Sequence, residues 1–172
     1  KILVTGGTGY IGSHTVVELH NAGYTPVIID NLSNSNLQIL DQIEKITGVK
    51  PEFHQIDLCD EAKVQAFVAG NPEVTGVIHF AASKAVGESV EKPLKYYHNN
   101  FFSLINLLNA YHGKAINFVF SSSCTVYGEP DTLPVTEQAP VKIAASPFHN
   151  TKPRSEERRI GQESCSRWSP HP

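Results

Sequence analysis

An excess of charge of one sign is missing from this chain. Lys and Arg number 14 against 17 Asp and Glu, a formal net charge of −3. That balance excludes a general attraction to nucleic acid or to an anionic membrane surface. Cysteine is scarce: Cys59, Cys124 and Cys165 lie far apart, with no CxxC pair and no His partner at metal-ligand spacing. A disulfide framework and a structural zinc site are therefore excluded, and no metal is expected. Long hydrophobic runs are also lacking, none reaching the roughly 18 residues of a membrane span. The sequence opens on the strand-like Lys1-Ile2-Leu3-Val4-Thr5 with no signal-peptide pattern before it, so a cytoplasmic location is expected. A length of 172 residues with 40% hydrophobic content allows one sizeable core but not two full domains.

What is present is a repeat. Short apolar, β-branched runs at 2–4, 27–29, 53–56, 77–80 and 118–120 alternate with helical stretches near 11–22, 37–46, 61–69 and 94–111. In the first helix Ile11, Val16, Leu19 and Ala22 offer an apolar face. The spacing suits crossovers between parallel strands, and predicts a doubly wound α/β sheet of five parallel strands with helices on both faces. Beyond Ser121 the prolines Pro130 and Pro140 mark a long surface excursion. Residues 1–152 are predicted to form one partial dinucleotide-binding domain. Residues 153–172 carry four arginines and few large apolar groups, and read as an irregular or disordered tail.

Between the first strand and the first helix stands Thr5-Gly6-Gly7-Thr8-Gly9-Tyr10-Ile11-Gly12. Gly6 permits a tight turn, Gly9 lets a pyrophosphate approach bare backbone at the helix N-terminus, and Gly12 allows close helix–strand packing. A glycine triplet alone is weak evidence; in this context it predicts dinucleotide binding. Asp30 ends the second strand, where a carboxylate can accept hydrogen bonds from an adenosine ribose and repel a 2′-phosphate, favouring NAD over NADP. The lesser reading is a strand-terminal turn residue or helix cap. Asp57, after the third strand, suits the adenine side or an Asx-turn.

Four blocks then match something known: TGGTGYIGSHTVVEL at 5–19, DNLSNS at 30–35, KAVGESVEKPLKYYHNN at 84–100 and FVFSSSCTVYG at 118–128. On these residues the chain resembles the extended short-chain dehydrogenase/reductase family, most nearly its UDP-glucose 4-epimerase members. The resemblance covers 1 to about 152. It implies a Rossmann-type fold that is incomplete, with the C-terminal substrate domain missing. It further implies NAD as cofactor, a UDP-sugar as substrate and a homodimer formed in part by the helix at 94–111. The reaction it implies is hydride removal and return at sugar C4, a net isomerisation.

Residue by residue, the resemblance places Tyr10 and Ile11 along the cofactor. Asp30, Asn31, Leu32, Asn34 and Ser35 would surround the adenosine ribose, with Asp57 and Leu58 bordering adenine. Phe80, Ala81, Ala82 and Lys84 would form the cofactor-facing edge after the fourth strand, with Asn99 on the neighbouring helix. Ser123 would touch the reacting sugar hydroxyl and Lys152 would grip the nicotinamide ribose. Other readings stand beside these: Lys84 as a solvated loop lysine, Asn99 as a helix hydrogen-bonder, Ser123 as a turn residue, and His79 as a satisfied core histidine rather than a catalytic one.

A Tyr phenol is the expected general base, four residues before a lysine that lowers its pKa. This chain has Phe148 there. His149 is adjacent, but neighbouring helical residues point about 100° apart. Epimerisation is therefore expected to be impaired or absent. The related 4,6-dehydratases carry an Asp-Glu pair where this chain has Cys124-Thr125, which cannot eliminate water by acid and base. Ala82-Ser83 and Phe101-Phe102-Ser103-Leu104 also depart from the family pattern.

Overall fold

The computed structural model describes residues 1–136, 138–140, 142 and 146–151. Five short strands make one sheet: β1 (Ile2–Thr5), β2 (Pro26–Asp30), β3 (Glu52–Gln55), β4 (Gly76–His79) and β5 (Asn117–Phe120). Every neighbouring pair is parallel and the order is β3-β2-β1-β4-β5. Helices α1 (Tyr10–Asn21), α2 (Gln38–Thr47), α3 (Glu61–Gly70), α4 (Val86–Glu91) and α5 (Pro93–Ala110) follow in chain order. The chain winds outward from β1 to β3, then returns to the other side of β1 with β4. This reversal lies between β1 and β4, the kind of switch point at which open α/β sheets bind ligands.

Contacts divide the molecule into two compact units. The first comprises residues 1–82 and 102–121 and contains the whole sheet. Strand side chains alternate between its two faces, as the pleat requires. Leu3, Val27, Ile29 and Val77 point to one face, where Val64, Phe67 and Val68 of α3 and Leu107 of α5 cover them. Val4 and Ile28 point to the other, against Val16 of α1 and Leu40 and Ile43 of α2. Parallel strands buried on both faces explain why β1 and β2 read as continuous apolar runs.

The second unit comprises residues 83–101 and the described residues from 122 to 151. Its anchor is Tyr96, fully buried at 0% exposure. The Tyr96 hydroxyl donates to Glu88 Oε2 at 2.9 Å and accepts from the Ala85 amide at 3.1 Å. Lys95 Nζ lies 2.7 Å from the other Glu88 oxygen. Lys95 first, and the Tyr96 hydroxyl second, hold the Glu88 carboxyl below its usual range. A 3₁₀ turn spans Cys124–Tyr127, and residues 147–151 are helical.

The predicted five-stranded parallel sheet and four of the helices are found, with ends shifted by a residue or so. Ile56 and Phe80, predicted as the last residues of their strands, still donate to the neighbouring backbone, at Asp30 O and Thr5 O. The apolar face of α1 needs correction. Ile11 is 57% exposed and Ala22 is also exposed, while Gly12 and Val16 are the buried positions. Helix α4 was not predicted: six residues with Gly87 inside them show no helical period. Residues 153–172, read as an irregular tail, lie outside the described residues.

Leu107 is fully buried, whereas Val119 on β5 is 57% exposed. Leu107→Ala is therefore expected to destabilise the fold by roughly 2–5 kcal/mol and Val119→Ala by less than about 0.5 kcal/mol in urea titrations. Similar losses for the two would contradict this placement of the core.

Candidate functional site

Within the first unit the glycine turn is built by close approach of backbone to backbone. Gly6 adopts φ +70°, and a Cβ there would lie 2.9 Å from the Ala81 amide nitrogen. A Cβ on Gly12 would collide with the Gly6 carbonyl, reaching 2.9 Å from its carbon. Gly9 differs, since a Cβ there would meet only Gly6 O at 3.1 Å. Gly9 is the N-cap of α1, no side chain caps the helix, and no acidic residue occupies its first turn. The start of α1 thus presents amide groups and the positive end of a helix dipole without an internal anion to satisfy them. Those features fit a pyrophosphate. Tyr10 and Ile11, at 76% and 57% exposed, flank the turn and take no part in the core.

Asp30 faces this turn. Its Oδ2 accepts from the Thr8 amide at 3.2 Å, and its Oδ1 accepts from the Leu32 amide at 2.9 Å and from Ser35 Oγ at 3.3 Å. Thr8 Oγ1 lies 2.7 Å from Ser35 Oγ, closing the loop on itself. Leu32 is held at φ 61°, a left-handed conformation unusual for a branched residue. Asn34 is exposed at the tip of the loop. The turn-forming reading of Asp30 is therefore realised, and its carboxylate also tethers the glycine loop.

The second acidic position lies on the turn after β3. Asp57 Oδ1 accepts from the Cys59 amide at 2.9 Å, the Asx-turn arrangement, and Asn31 Nδ2 approaches its Oδ2 at 3.4 Å. Burial, and after it the Asp57 charge, pushes the Cys59 thiol up to about 11. Leu58 is buried in the core, and its carbonyl accepts from Asn106 Nδ2 of α5 at 2.8 Å. Phe80, Ala81 and Ala82 are half-buried after β4. His79 is 2% exposed, with Nδ1 2.8 Å from Thr5 Oγ1 and Phe120 stacked on its ring. It is the satisfied core histidine.

In the second unit, Asn100 is the hub. Its Oδ1 accepts from the Ser83 amide at 2.8 Å and from Asn99 Nδ2 at 3.1 Å. Its Nδ2 donates to Ser83 O and to Thr151 Oγ1, each at 3.0 Å. Thr151 is fully buried, and its hydroxyl donates to Phe148 O at 2.8 Å. Asn99 makes the hydrogen bond to Asn100 that the alternative reading gives it, while Lys84 is exposed and forms no ion pair among the described residues. Ser123 is the N-cap of the 3₁₀ turn, its Oγ accepting from the Thr125 amide at 3.3 Å and from Thr125 Oγ1 at 3.1 Å. Phe148 is 7% exposed, and its ring lies 5.6 Å from that of His149. Lys152 lies outside the described residues.

Sequence reasoning missed Asn100 and Asn106. A signal for the first was available: Tyr96, Asn100, Ser103, Leu104, Leu107 and Tyr111 recur at three- and four-residue spacing, so Asn100 falls on the buried stripe of α5. An amide on such a stripe must find partners. Among the described residues no group of three His, Cys, Asp or Glu could hold a metal ion, and no helix is long and apolar enough to cross a membrane.

A parallel sheet with its strand order reversing beside a glycine turn and an uncapped helix start defines a Rossmann-type α/β protein. The chain belongs to the GDP-mannose 4,6 dehydratase family, whose model matches residues 3–158. It is 53% identical over 156 residues to a UDP-glucose 4-epimerase of Dictyostelium discoideum, covering 88% of this chain and 44% of that protein. A UDP-glucose 4-epimerase of Drosophila melanogaster is 47% identical over 178 residues, covering 98% and 50%. The crystal structure of a UDP-glucose-4-epimerase from Stenotrophomonas maltophila, with bound NAD and formylated UDP-arabinopyranose, superposes with a TM-score of 0.90 at 41% identity over 96% of this chain and 49% of that one. A Bifidobacterium longum UDP-glucose 4-epimerase in complex with NAD+ and UDP gives 0.88 at 42% identity, covering 92% and 48%. The chain spans about half the length of the relatives it matches.

The Gly12 contact can be tested directly. Gly12→Ala is expected to destabilise the fold by about 1–3 kcal/mol, because the added methyl meets backbone that cannot move aside. An unchanged denaturation midpoint would show that α1 does not approach the turn this closely.

Proposed function

We propose that this chain is the dinucleotide-binding part of a UDP-glucose 4-epimerase-type protein: it takes NAD, and its epimerisation is impaired or absent because Phe148 occupies the position of the general base. The observation that carries the first half is the glycine turn, with backbone packed against Ala81 on one side and the Asp30 carboxylate on the other. The relatives near 50% identity, and the solved epimerases described with NAD, support the same choice of cofactor. Asp30 favours NAD over NADP, since a 2′-phosphate beside its carboxylate would be repelled.

NAD supplies the hydride acceptor and donor when bound. The chain's own residues supply the rest. The Tyr10 and Ile11 amides at the start of α1 would hold the pyrophosphate beside the bare backbone of Gly9, whose own amide is given to Gly6 O, and Asp30 would receive the adenosine ribose. Ser123 keeps a donor: its oxygen already accepts from Thr125, while its own proton remains available to a sugar oxygen. No group at position 148 can take a proton, since a phenyl ring has no titratable atom and here it is buried. Dehydration is the weaker reading despite the family's name, because Cys124 and Thr125 provide no carboxyl pair to eliminate water.

Two measurements test this. Calorimetry with NAD should give saturable binding while conversion of UDP-galactose to UDP-glucose falls about 10²–10⁴-fold below that of a tyrosine-bearing relative, the usual loss on removing a general base. Turnover equal to the relative would overturn the inactivity, and no NAD binding would overturn the cofactor assignment. Asp30→Asn, which keeps the acceptor for Leu32 while removing the charge, should narrow the preference for NAD over NADP by roughly tenfold. An unchanged ratio would show that Asp30 does not meet the ribose.

A further inference from the structure

Asn106 holds the turn after β3 from beneath. It sits on the part of α5 that belongs to the first unit, is 4% exposed, and donates through Nδ2 to the Leu58 carbonyl at 2.8 Å. A buried amide that finds a backbone carbonyl forty-eight residues away is not filling space. An apolar residue at this place would leave the Leu58 oxygen buried without a donor. Leu58 is doubly fixed, by this bond and by its side chain in the core cluster of Val64, Phe67 and Leu107.

The turn so fixed carries Asp57 immediately before Leu58. The Asp57 carboxylate has its orientation set on both oxygens, by the Cys59 amide and by Asn31 Nδ2. Asn31 follows Asp30, so the two loops that end β2 and β3 are joined through side chains. A carboxylate held in one orientation at the rim of a nucleoside site accepts from an exocyclic amine and repels a carbonyl. Adenine offers the amine and hypoxanthine offers the carbonyl at the same ring position.

We propose that Asn106 is a positioning residue for base recognition: by fixing the Leu58 carbonyl it holds the Asp57 carboxylate where it selects adenine over hypoxanthine in the dinucleotide. This rests on the NAD-binding reading above. Asn106 touches no ligand itself. Its effect is on which base is accepted, and it acts through the peptide between Asp57 and Leu58.

The test compares the affinities of the purified chain for NAD and for nicotinamide hypoxanthine dinucleotide by calorimetry, in the parent, Asn106→Leu, Asn106→Ser and Ile43→Ala. Leucine keeps the volume without the donor, and serine is too short to reach the carbonyl. Ile43 lies in the core on the opposite face of the sheet and serves as the control for destabilisation alone. The expected result is a preference for adenine that falls roughly tenfold in both Asn106 variants, the worth of about one lost hydrogen bond to a charged group, and stays unchanged in Ile43→Ala. If Asn106→Leu does not fold, Asn106→Ser gives the same reading. An unchanged adenine preference in a folded Asn106 variant overturns the inference while leaving NAD binding standing. Failure of the parent to bind either dinucleotide overturns the functional reading, and this inference with it.

Discussion

The arrangement depends on bare backbone meeting bare backbone where β1 gives way to α1. Gly6, Gly12 and Ala81 approach so closely that a single added methyl has no place to go. The benefit is geometric. With no side chains intervening, α1 starts at the end of the central strand and directs its unsatisfied amides across the sheet's switch point. The apolar faces of the sheet hold the strands in place, but they would do so around any turn; the glycines decide where the helix dipole is aimed.

Around that turn, polar side chains do what the core cannot. Asp30 ties the second loop to the first through Thr8, Asn31 reaches the third loop at Asp57, and Asn106 pins the third loop to α5. In the second unit Asn100 and Thr151 tie Ser83 to the turn bearing Phe148, and Tyr96 ties Ala85 to Glu88. Each is a buried or half-buried group with its partners supplied, which is how a loop can be rigid without contributing to the core.

Much of this was legible in the sequence. Apolar runs at 2–4 and 27–29 marked strands buried on both faces, and the glycine spacing beside Asp30 marked the turn and its carboxylate. Other features were hidden for physical reasons. Helix α4 is too short to show a period, and Ile11 looks like a core residue by type although it faces solvent beside the turn. Asn106 could not be found by pattern, because its partner is a backbone carbonyl, which leaves no trace in residue identities. Asp30 and Asp57 each form a turn, and that role is compatible with the ligand reading also offered for each.

The fastening role of Asp30 limits which residues its loop can accept. The carboxylate of residue 30 bonds Thr8, Leu32 and Ser35, and keeps Leu32 in a left-handed backbone that a branched side chain otherwise avoids. A substitution at 30 that removes both oxygens would release the Thr8 amide, the Leu32 amide and the Ser35 hydroxyl in one step. Such a change needs a glycine or asparagine at 32 and a new tether for 35 to arrive with it, so the loop constrains residue 30 by its own architecture.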